Sequence, residues 1–143
     1  PYTVNAKEAG FRDLVVFKDH NFVLPSGGIV AREEILRSDP PMVEKFVRAS
    51  VMGFLFSRDH RAESIKILVR NLKIDEPTAT TIYDSSRPTM TVDGGLSAET
   101  QKRMVAFFTK IAPAKDVASP EKVFDFSFLR RAHATLQARG WKP

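Results

Sequence analysis

The sequence predicts an α/β chain that is mostly helical. Three observations lead there. Two short apolar runs near the start, "LVVF" and "GIVA", have the β-branched content of strands. From residue 40 onward the apolar residues recur at spacings of three and four, the period of a helix packed on one side. The helical stretches are separated by Pro, Gly and capping residues rather than by further strand-like alternation. Five to seven helices and two or three short strands are expected.

Residues 3–9 have helix character, and Gly10 stands where a left-handed C′ residue would stop that helix. Residues 12–19, "RDLVVFKD", read as a buried strand, and "HNFVLPSGG" as a connector. "GIVA" is a second strand running into the helical turn "REEILRS". Asp39 precedes Pro40, and a residue before proline avoids the helical region, so the turn ends there. Pro40 and Pro41 suit a first helical turn, whose N–H groups lack partners in any case. Val43, Phe46, Val47, Ser50, Val51, Phe54 and Leu55 then mark a helix to about Ser57, with Phe46, Val47 and Phe54 assigned to the core. Ile65, Leu68, Val69 and Leu72 mark a second long helix, and "DEP" at residues 75–77 opens a third. "SSRPTMTVDGG" is an irregular loop with a short extended piece at residues 90–92. Ser97 caps a helix carrying Met104, Val105, Phe108 and Ile111. Phe107 and Phe108 are again assigned to the core. Asp125 or Ser127 caps the last helix, which Gly140 stops.

Composition narrows the function. Hydrophobic residues make up 43% and charged residues 27% of the 143, a globular balance. No apolar run approaches the ~20 residues that span a bilayer. With no cysteine, disulfides, thiolate metal sites and a Cys nucleophile are excluded. The net charge of +5 comes from 22 basic residues spread among 17 acidic ones, clustering only at "LRRAH" and the C-terminal "ARGWKP". That scatter, without an RNA-binding or zinc-finger motif, argues against nucleic acid as a partner. The opening "PYTVNAKEAG" has no initiator Met and no leader-like pattern, and two strands cannot form a sheet alone. A fragment of a longer protein is therefore expected, with self-association through uncovered strand edges.

No catalytic or metal constellation emerges. His60 and His133 lie in charged helical contexts and read as surface residues, while His20 sits in the connector before the Gly pair. The carboxylate pairs Glu33–Glu34 and Asp75–Glu76 favour helix starts electrostatically but do not face each other as an acid–base pair should. "SGG" and "DGG" lack the spacing of a phosphate loop. No cofactor is implied.

In order, "AKEAGFRDLVVFKD", "IVAREEIL", "DPPMVEKFVRASVMGFLF", "HRAESIKILV", "DEPTATTIYDSSRP", "DGGLSAETQKRMVAFF" and "VFDFSFLRRA" resemble the second half of solute-binding proteins of ABC importers. The branch resembled is the nitrate/sulfonate/taurine and thiamine-precursor-binding superfamily, with the type II periplasmic binding fold. The likeness covers nearly the whole chain, though no single motif is unique to it. It implies two α/β lobes around a ligand cleft. Residues 1–24 would end the second lobe and form the return crossing. Residues 25–143 would be the helical C-terminal part of the first lobe. It further implies a periplasmic or lipid-anchored extracellular protein that captures a small anionic or polar ring ligand and delivers it to an ABC membrane permease. Most of the binding site would lie outside these residues. Ser26, Gly27 and Gly28 are the candidate ligand-binding residues, with His20 and Phe22 beside them and Pro25 fixing the entry. A glycine pair lets backbone N–H groups approach a ligand and can absorb hinge motion. Two alternatives remain: an enzyme of the same superfamily for thiamine-pyrimidine synthesis, and a free-standing helical interaction or regulatory domain.

Overall fold

The computed structural model describes residues 2–16, 27–112 and 119–143. Its elements are α1 (Tyr2–Glu8), α2 (Glu33–Ser38), α3 (Pro40–Asp59), α4 (Arg61–Leu72) and α5 (Glu76–Ser86), then a 3-10 turn at Arg87–Thr89, then α6 (Ala98–Ile111), α7 (Pro120–Val123) and α8 (Ser127–Ala138).

Among the described residues there is no strand, which overturns the α/β expectation. Residues 11–16 and 27–32 carry no regular structure. Their apolar side chains face solvent: Leu14 is 86% exposed and Val30 96%. The reason is long-range. A β-branched run becomes a strand only when a second strand satisfies its N–H and C=O groups, and no described segment does so. The short piece at residues 90–92 is likewise unpaired. The two-lobe division near residues 24–25 falls on residues 17–26, outside those described.

The helices form where local signals place them. The Asp39 carboxylate accepts the Met42 amide at 3.1 Å, and α3 opens on its two prolines. The Asp75 carboxylate accepts the Thr78 amide at 2.8 Å and starts α5. The Ser97 hydroxyl accepts the Thr100 amide at 3.1 Å and starts α6. Gly10 (φ +87) and Gly140 (φ +64) end α1 and α8 in the left-handed region that only glycine enters without strain. Each stop is a complete Schellman motif. The Gly10 and Phe11 amides donate to Lys7 and Ala6, and those of Gly140 and Trp141 to Gln137 and Leu136.

Two small apolar clusters hold the molecule. In the first, α8 lies on α3: Val51, Leu55, Ala132 and Leu136 are buried, flanked by Val47, Phe54, Leu129 and Trp141. The Arg131–Glu44 ion pair, 2.7 Å apart and about half exposed, crosses the edge of this interface. In the second, α5 lies on α4: Ile65, Ala79 and Tyr83 are buried, flanked by Leu68, Val69 and Ile74. The two helix pairs meet chiefly at the corner where α3 turns into α4 at His60, and α1 rests against α5.

Two core assignments need correction. Phe46 is 56% exposed and Phe108 48%. At 3.6 residues per turn, Phe46 falls with Met42, Ala49 and Gly53 on the side of α3 away from α8, and all four are exposed. Phe108 lies on α6, which buries no residue and contacts mainly the short α7. The apolar periodicity grouped Phe46 with Val43, Val47 and Val51, whereas the structure buries only the side of α3 that α8 covers.

Candidate functional site

Of the five ligand-binding candidates, His20, Phe22 and Ser26 lie outside the described residues, as does Pro25. Gly27 and Gly28 are exposed in an unpaired stretch, and a Cβ built on either would meet nothing within 4 Å. The described residues therefore do not gather the candidates into a cleft. They leave two successive side-chain-free residues open to solvent just ahead of α2.

The structure instead brings polar groups together at two places. One is the C-terminal end of α3. Its last carbonyls are capped by side chains from elsewhere rather than by a glycine turn. The Tyr83 hydroxyl on α5 sits 2.9 Å from the Ser57 carbonyl and 3.1 Å from that of Arg58. The Arg87 Nε donates to the Arg58 carbonyl at 2.6 Å, and the buried Ser64 hydroxyl donates to Ser57 at 3.2 Å. The Arg58 guanidinium donates to both oxygens of Asp59, at 2.7 and 2.6 Å, and to the Val92 carbonyl. That charge-assisted fork holds the Asp59 carboxyl below the usual carboxylate range and raises Arg58. Nearby, His60 stacks on Phe56 with ring centroids 4.6 Å apart.

The second place is a recess of about 370 Å³ between the loop before α6 and the start of α8, lined by Asp93, Gly95, Ser97, Gln101, Phe126 and Arg130 among others. Its floor is tightly built. The Asp93 carboxylate accepts the Gly95 amide at 2.8 Å. A Cβ on Gly95 would lie 3.2 Å from that carboxylate and 3.3 Å from Leu129, so the second glycine of "DGG" answers to close approach. His133 on α8 reaches the Asp93 carbonyl through Nε2 at 2.8 Å. His133 thus ties α8 to this loop instead of standing free on the surface. The contact joins residues 40 positions apart, and no local spacing signals it.

Among the described residues no three His, Asp or Glu side chains are arranged to hold a metal ion, and every buried side-chain N or O has a partner. Among them, too, no helix is long and apolar enough to cross a membrane. No protein-family model matches the chain, and searches of curated proteins and of solved structures found no significant match.

Proposed function

We propose that the chain is part of the solute-binding component of an ABC import system, taking a small anionic or polar ring ligand and passing it to a membrane permease. Such a role belongs in the periplasm or on a lipid-anchored extracellular protein. The observation that carries the reading is the open Gly27–Gly28 backbone in the irregular stretch that leads into α2 and α3. Two successive N–H groups without side chains can approach an anion closely. Nothing within the described residues faces them, so capture needs a second surface beyond those residues. Closure around ligand then shifts an equilibrium between open and closed states.

Calorimetry tests the reading on the natural polypeptide that carries this sequence, titrated with nitrate, taurine, an alkanesulfonate and hydroxymethylpyrimidine. One class should bind 1:1, and a Gly27→Val/Gly28→Val variant should bind at least about tenfold more weakly. Binding of no class, or equal binding by the variant, overturns it. The isolated 143-residue chain should bind the same ligand weakly.

A helical interaction domain is the second reading, favoured by the absence of strands among the described residues. It requires a well-behaved monomer that binds none of these ligands, and size-exclusion chromatography alongside the calorimetry separates the two.

A further inference from the structure

The geometry points to the polar cluster at the end of α3 as a conformational joint: a clasp that makes two separately built cores, α3–α8 and α4–α5, open and close as one unit. The inference is independent of the proposed ligand role.

Two observations carry it. The two apolar clusters share no buried residue, so burial alone does not bind the pairs to each other. The polar bonds at the corner, in contrast, run from one pair to the other. Tyr83 belongs to the α4–α5 core, 4% exposed, yet its hydroxyl reaches the carbonyls of Ser57 and Arg58 on α3. Arg87, directly after α5, donates to the same Arg58 carbonyl.

The carbonyls involved are among the last four of α3, which have no partner inside the helix. If the clasp opens, they must be met by water. While it is closed, fraying of α3 and separation of α5 are the same event. A unit with few apolar contacts to its neighbour opens on its own unless such a coupling exists. The α4–α5 cluster is the smaller, with Ile65, Ala79 and Tyr83 buried, whereas Val51, Leu55, Ala132 and Leu136 are buried in the other.

Native-state hydrogen exchange on the full chain tests this. In the unaltered protein, the slowest amides of α4–α5 and of α3–α8 should share one opening equilibrium. Tyr83→Phe keeps the ring in its core and removes the hydroxyl, and Arg87→Met keeps the stem and removes the donor. Every amide that opens only with the whole chain, those of α3–α8 included, should lose about tenfold in protection in the Tyr83→Phe variant and up to about a hundredfold in the double variant, given one hydrogen bond lost per substitution. The amides of α4–α5 should lose more than this, because without the clasp that pair opens on its own. Arg61→Gln serves as control. Its pair with Asp84, 2.7 Å apart, lies within α4–α5, so its loss should leave the opening of the two pairs linked. An equal fall in both pairs, or unchanged protection in Tyr83→Phe, overturns the proposal. The single variant decides if the double variant does not fold.

Discussion

At the scale of single residues the caps of α5 and α6 are the most readable feature, because each is a bond over three positions. Helix α8 instead starts after Phe126 without the side-chain cap expected of Asp125 or Ser127. Ser97 and Asp75 were both expected to open helices, and each accepts an amide three residues on. Ser97→Ala should lower stability by about 1 kcal/mol, measured as a shift in the denaturant midpoint at unchanged slope. The carboxylates give a second expectation. Arg58 holds Asp59 low, Arg61 does the same for Asp84, the Thr78 hydroxyl and amide for Asp75, and the Ser127 amide for Asp125. A carboxyl whose folded pKa lies below its unfolded value stabilises the fold fully above the unfolded value and loses that contribution as pH falls toward the folded one. Helicity followed by circular dichroism should therefore hold down to about pH 4, the ordinary carboxylate range, and fall below it. Loss already at pH 6 would contradict the role given to these pairs. The polar partners that matter most at the corner were not legible. Tyr83 and Arg58 lie 25 positions apart and Arg87 and Arg58 lie 29 apart, and no pattern in the intervening residues links them.

At the scale of elements, periodicity recovered the helices and misjudged the strands, for one physical reason. A helix satisfies its own backbone within four residues, so its pattern is local. A strand is defined by another segment, and "LVVF" and "GIVA" carry the right residue types with no partner among those described. The helix stops were equally local: Gly10 and Gly140 were placed by sequence and each closes a Schellman motif. What an element packs on is not local. The face of α3 bearing Val43, Val51 and Leu55 is covered, while the face bearing Met42 and Phe46 is not, although both are apolar. The covered face sets the α3–α8 contact, so Leu136→Ala should cost about 2–4 kcal/mol. Thermal unfolding should show the loss, and a cost below about 1 kcal/mol would mean that α8 is not held by this cluster.

At the scale of the whole molecule, the uncovered apolar surface sets behaviour in solution. Residues 11–16, residues 27–32, the Met42–Phe46 side of α3 and the Phe108–Ile111 end of α6 all present large apolar side chains to water. Exposed apolar patches beyond a few hundred Å² mark interaction surfaces or association liabilities. Sedimentation equilibrium on the isolated chain should show a mass that rises with concentration. A constant monomer mass over a hundredfold range of concentration would show that these faces do not drive association. The proposed ligand site was the least legible part: the described residues show Gly27 and Gly28 exposed with nothing packed against them, and bring no other candidate to their side.

The aromatic residues give the corner at α3 an optical consequence. The chain has one tryptophan and two tyrosines. Trp141 packs on the α3–α8 cluster, Tyr83 is buried in the α4–α5 cluster, and Tyr2 is 87% exposed, already in the environment it would have unfolded. Indole emission therefore reports one core and phenol absorbance the other, with no label added. Coincident melting curves at the two wavelengths signify a single cooperative unit, and curves that separate would reveal two bodies sharing a chain.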